Sequence, residues 1–154
     1  MTKILFICLG NICRSPMAEF AMKDLVRRKG EADRFEIASC ATSREEIGND
    51  IHYGTRRILE SAGIPFTRRS AVQLTRADYD KWDLLIAMDT GNLRGIERIT
   101  GGDPENKVHL LLEYAGENRS IADPWYTGDF NVTYRDVRRG CEALYETLQK
   151  QKNA

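Results

Sequence analysis

Apolar and polar positions follow one another in blocks along this chain, and each block carries the period of a strand or a helix. Residues 3–8 (KILFIC) are a short β-branched and aromatic run, as expected of a buried strand. From Ser15-Pro16 the period changes. Met17, Phe20, Ala21 and Leu25 recur at helical spacing, Pro16 serves as a first-turn start signal, and RRKGEAD closes the helix. FEIASC (35–40) predicts a second strand. Ile51, Thr55, Ile58, Leu59 and Ala62 then line one helix face that Gly63 ends. RRSAVQL (68–74) predicts a weak strand and WDLLIAM (82–88) a strong central one, nearly continuous in apolar residues. A short helix is expected from Asp89, a brief strand at KVHLL (107–111), and a final helix over roughly 132–150 on Val137, Cys141, Leu144 and Leu148.

Strands alternating with helices imply an α/β fold: an open, mainly parallel twisted sheet of about four strands with helices on both faces. In such folds ligands bind beyond the carboxyl ends of the strands. With 154 residues and no linker, repeat or low-complexity tract, the chain predicts a single domain over 1–154.

Charge and cysteine content narrow the classes. Lys plus Arg and Asp plus Glu each number 23. This balance argues against a nucleic-acid partner, which normally demands a basic excess. The N-terminal apolar run is too short for a membrane span and lacks a cleavage pattern, so a cytoplasmic location with no membrane partner is the expectation. Cys8, Cys13, Cys40 and Cys141 form no C-x-x-C, and the two histidines, His52 and His109, supply no zinc spacing. No metal and no cofactor is therefore expected. Cys40 and Cys141 read as core.

The chemistry concentrates where the first strand ends, in C-L-G-N-I-C-R-S (8–15). A loop between a strand and a helix can curl its N–H groups around an anion, and the helix N-terminus adds partial positive charge. Leu9, Gly10, Asn11, Ile12 and Cys13 would form this cradle. Gly10 is expected to take the unusual backbone angles, with Asn11 supporting the loop through its side chain and able to tolerate a left-handed backbone. Arg14 offers a planar fork for two phosphate-like oxygens. Cys8 lies at the centre, where these groups favour a thiolate nucleophile that attacks phosphorus. Ser15 could donate to the sulfur, or serve as an N-cap. There is no G-x-x-x-x-G-K-[ST] and no G-x-G-x-x-G after the first strand, which excludes the common nucleotide cradles. A released alkoxide or phenolate needs a general acid. Asp123, ahead of Pro124 and beside Trp125 and Tyr126, is a candidate with a ring-lined slot. The same residues read equally well as an Asp-Pro turn.

CLGNICRSP near the N-terminus with DPWY near the C-terminus resembles the low-molecular-weight protein tyrosine phosphatases. ASCATSREEIG (38–48), GTRRILESAGIP (54–65) and DYDKWDLLIAMDTGNL (78–93) extend the resemblance over most of the chain. It implies that Cys8 is the nucleophile, Arg14 binds the phosphoryl oxygens, Ser15 assists the thiolate, and Asn11 with Ser39 holds the loop. It implies that Asp123 is first acid, then base, that Trp125 and Tyr126 flank the substrate ring, and that Cys13 is a redox partner for Cys8. The implied substrates are phosphotyrosine proteins, with inorganic phosphate as product. Two features depart from the pattern: Trp125 stands where many members have Tyr, and Arg44, Glu45 and Glu46 stand where an aromatic often lines the opposite wall. Ile12, in place of Thr, argues against an arginine phosphatase. A thioredoxin-coupled arsenate reductase would need cysteines near 82–93, where there are none. A phosphotyrosine-binding module without turnover is the alternative outside the enzymes.

Overall fold

The computed structural model describes residues 1–153. Its strands are β1 (Thr2–Cys8), β2 (Phe35–Ala41), β3 (Leu84–Ala87) and β4 (Val108–Leu110). They form one sheet in the order β2-β1-β3-β4, with every pair parallel. The helices are α1 (Arg14–Arg28), α2 (Tyr53–Ser61), α3 (Arg76–Lys81), α4 (Thr90–Thr100), α5 (Pro124–Thr127) and α6 (Phe130–Asn153).

Successive residues of a strand point to opposite faces, and β1 shows this directly. Ile4 and Phe6 pack with Met17 and Met22 of α1 and with Val137 and Leu144 of α6. Leu5 and Ile7 face the other way, toward Tyr79, Trp82 and Ile96 around α3 and α4. Both faces are covered, which explains why β1 and β3 read as unbroken apolar runs. Leu59 of α2 joins Phe20 and Ala21 of α1 in a smaller cluster beside the sheet.

The chain runs from β1 to β2 on one side and then crosses to β3 on the other. The carboxyl end of β1 is thus the point where the winding changes direction. A crevice opens there, and Cys8 is the last residue of β1.

Several expected boundaries shift. Residues 68–74 form no strand. Only Gln73 bridges to Ala41 at the end of β2. Neighbouring amides are used elsewhere, Ala71 N–H on Asn49 O (2.7 Å) and Val72 N–H on the Asn11 side chain (3.2 Å), so no ladder can grow. The strand expected over 82–88 is shorter, because Trp82 already caps α3, a helix that the pattern did not disclose. Helix α1 starts at Arg14, so Pro16 is its third residue rather than its first. A proline there is harmless, since the first-turn N–H groups have no partner within the helix. The last helix extends beyond both expected ends. Gly63 (φ 69) follows the end of α2 in the left-handed conformation, as expected. Cys40 and Cys141 are both buried in the core. No helix among the described residues is long and apolar enough to cross a membrane.

Candidate active site

The loop from Cys8 to Arg14 closes around the Cys8 sulfur. Asn11 N–H reaches Sγ at 3.3 Å and Ser15 N–H at 3.4 Å, while Ser15 Oγ lies 3.0 Å away. Two backbone N–H groups and a hydroxyl thus converge on one sulfur. Ser15 is not an N-cap. It is the second residue of α1, and its hydroxyl faces Cys8 and the Asn11 amide.

Of the two positions that the sequence offers for unusual backbone angles, the left-handed turn falls on Asn11 (φ 59) and not on Gly10. The reason lies in the Asn11 side chain. Its amide nitrogen donates to Ser15 Oγ and Ser39 Oγ, both at 2.9 Å, and its oxygen accepts from Val72 N–H. Gly10 serves close approach instead, since a Cβ there would lie 3.3 Å from Glu46 Cγ. Ser39 in turn donates to Glu19 at 2.6 Å.

Arg14 is 2 % exposed although it belongs to a surface-opening loop. Its Nη1 donates to Asp89 Oδ2 at 2.7 Å and to Ile121 O at 2.9 Å, and its Nη2 donates to Asp123 Oδ2 at 3.2 Å. Burial alone would lower its pKa. The Cys8 sulfur, Asp123 and Asp89 outweigh that and hold the guanidinium above its ordinary value.

A cavity of about 90 Å³ joins these parts. Cys8, Leu9, Gly10, Ile12, Cys13 and Arg14 line it from the loop, and Asp123, Trp125 and Tyr126 from the chain more than a hundred residues later. Asn11, Ser15 and Ser39 sit behind the loop as supports. Asp123 caps α5, its Oδ1 accepting from Trp125 N–H at 3.1 Å, and its extended backbone (ψ 112) meets the restriction set by Pro124. Glu45 and Glu46 complete the wall, which is accordingly polar on that side. Arg44 does not join them; its Nε donates to Gln73 at 3.2 Å. Burial first, and the neighbouring Cys8 sulfur second, push the Cys13 thiol up to about 12. The described residues contain no group of three or more His, Cys, Asp or Glu placed to share a metal ion.

Three residues of this region escaped the sequence reading. Asp89 caps α4 in a reciprocal box with Asn92 and turns its second oxygen to Arg14. The D-x-x-N spacing marks the cap, but nothing local marks the arginine contact. Arg69 donates to Asn11 O and to Asn49 O (3.1 Å), bracing the loop from beneath. Burial lowers its pKa. His52 donates its backbone N–H to Ile12 O at 2.8 Å.

Known proteins resemble this chain in sequence and fold. The family model described as low molecular weight phosphotyrosine protein phosphatase matches residues 3–154. The low molecular weight protein-tyrosine-phosphatase YfkJ of Bacillus subtilis is 38% identical over 154 residues, covering 99% of each chain. Its crystal structure superposes with a TM-score of 0.95 over 99% of this chain and 97% of that one. The low molecular weight phosphotyrosine protein phosphatase of Rattus norvegicus is 37% identical over 148 residues, 93% of each chain. The crystal structure of the low molecular weight protein tyrosine phosphatase of Streptococcus pyogenes, 41% identical, covers 96% of this chain and 93% of its own with a TM-score of 0.87. The chain belongs to the low molecular weight phosphotyrosine protein phosphatase family.

Proposed function

We propose that this phosphatase hydrolyses phosphotyrosine in proteins by way of a phosphocysteine on Cys8. The observation that carries the reading is the placement of one sulfur beneath two backbone N–H groups and a hydroxyl, with Arg14 and Asp123 on the same cavity. Asp89 and Ile121 O hold one end of the guanidinium, and Asp123 accepts one N–H of Nη2, which leaves Nε and the second N–H of Nη2 to grip two phosphoryl oxygens. The Cys8 thiolate attacks phosphorus, and the P–O bond to the tyrosine ring breaks. Asp123, protonated, gives its proton to the departing phenolate oxygen. The carboxylate so formed then takes a proton from water as that water attacks phosphocysteine. Phosphate leaves, and Ser15 steadies the returning thiolate. Charge on the transferring group is met by Arg14 and the loop N–H groups. Trp125 and Tyr126 flank the substrate ring. Cys13 lines the same cavity, which supports the reading that it closes a disulfide on a Cys8 oxidised by peroxide to the sulfenic acid, with water as the leaving group.

The test compares phosphotyrosine, phosphoarginine and phosphoserine peptides with wild type and Cys8→Ser. Turnover of phosphotyrosine alone, lost in C8S, is expected. Equal rates in the two proteins would sink the reading. Tight phosphate binding without a trappable phosphocysteine would favour a binding module.

A further inference from the structure

The geometry points to His52 as a positioning residue: we infer that its ring, tied to the phosphate loop, seats Trp125 and thereby sets where Asp123 stands over the leaving group. The inference rests on Asp123 being the acid.

Two separate attachments fix His52. Its backbone N–H donates to Ile12 O at 2.8 Å, which anchors it to the cradle. As N-cap of α2, its Nδ1 accepts from Gly54 N–H at 2.9 Å, which orients the ring. That acceptor role places the proton of the neutral imidazole on Nε2. The ring then carries two aromatic contacts. Phe130, the first residue of α6, stacks on it with centroids 5.1 Å apart and planes 19° from parallel. Trp125 meets it edge-on at 5.6 Å and 81°. Phe130 also packs on Ile12 and Cys13, so the same ring pair touches the cradle a second time. The Phe130 ring fits only because residue 54 is glycine; a Cβ there would lie 2.4 Å from the ring.

Trp125 needs such a seat. It is 57 % exposed and belongs to α5, a helix of four residues. One turn of helix does not hold itself in water. Asp123 is the N-cap of that turn, bonded through Oδ1 to Trp125 N–H. Any drift of the turn that carries the indole therefore moves the carboxyl. An acid works only within hydrogen-bond reach of the oxygen it protonates, and displacement of about 1 Å can cost roughly a hundredfold. His52 thus links the two chain segments that must act together.

The experiment reads kcat/KM, which reports the step that releases the phenol, on two esters. Phenyl phosphate has a poor leaving group that needs the proton; 2,4-dinitrophenyl phosphate does not. His52→Asn keeps a good N-cap acceptor and removes the ring. It should lower the phenyl phosphate value about tenfold and the dinitrophenyl value less than about twofold, a share of the 10²–10⁴ that such acids supply. His52→Phe keeps the ring, loses the cap, and should hold the ratio of the two esters near wild type while melting lower. Trp125→Leu also loses its contact with the substrate ring, a loss common to both esters, and should beyond that widen their ratio as H52N does. The double variant should add nothing further. A uniform fall on both esters in H52N, an unchanged ratio, or a normal ratio in W125L would each overturn the inference. Asp123→Asn serves as the control. An unchanged ratio in D123N removes the acid itself, whereas a widened ratio there beside an unchanged one in H52N removes only the role of His52.

Discussion

Asn11 is the residue on which the shape of the cradle depends most, and its replacement gives a graded prediction. It is fully buried and left-handed, with φ 59. Its side chain makes three hydrogen bonds, two donated to Ser15 and Ser39 and one accepted from Val72 N–H. Asn11→Gly deletes all three and keeps the backbone angle free. At about 1 kcal/mol per bond this costs roughly 3 kcal/mol. Asn11→Ala deletes the same three and adds the cost of a Cβ in the left-handed region, about 1–2 kcal/mol. The larger freedom of glycine in the unfolded chain offsets part of that difference, leaving A below G by about 1 kcal/mol. For a chain of this size 1 kcal/mol moves the melting temperature by about 2–4 °C, so both variants should melt roughly 10 °C below wild type. The assay is urea unfolding with the slope checked for constancy, run beside phosphatase turnover. Because Asn11 N–H also faces Cys8 Sγ, turnover should fall in both variants. An N11A protein within 1 kcal/mol of wild type, or one more stable than N11G, would refute the account of the loop.

Two further outcomes are expected. A thiol pushed up to about 12, as burial and Cys8 push Cys13, is thiolate in only about one molecule in 10⁵ at pH 7. Iodoacetamide at pH 7 should therefore label Cys8 well before Cys13, and raising the pH toward 9 should speed Cys13 labelling; equal rates at pH 7 would contradict the burial argument. Gly140 lies inside α6, where helix propensity alone makes Gly→Ala stabilising by about 1 kcal/mol. A Cβ there would stand 2.5 Å from Leu111 Cγ, so Gly140→Ala should instead destabilise by about 1–3 kcal/mol in thermal or urea unfolding.

The cradle was readable because it is contiguous. Cys8, Arg14 and Ser15 lie within eight residues, and a strand-to-helix turn forces them around one point whatever the rest of the chain does. The sheet was readable for a similar reason: burial on both faces imprints β1 and β3 as apolar runs. Asp123 was half legible, since an Asp-Pro beside two rings is also an ordinary turn. Residues 68–74 misled because their β-like composition says nothing about where their amides go, and those amides scatter to Asp50, Asn49, the Asn11 side chain and Ala41. Helix α3 was missed because it is six residues long, less than two turns, with only Tyr79 buried.

The sequence by itself determined the parallel α/β order and the loop at the end of β1 that curls around the Cys8 sulfur, since each depends on residues close in the chain. Tertiary structure alone decided what surrounds that loop. Asp89 reaches Arg14 across 75 positions, Arg69 reaches Asn11 across 58, and Asp123 reaches Arg14 across 109. A charge buried as deeply as Arg14 must find its partners wherever the fold brings them, and no local period or propensity records a contact made between chain segments so far apart.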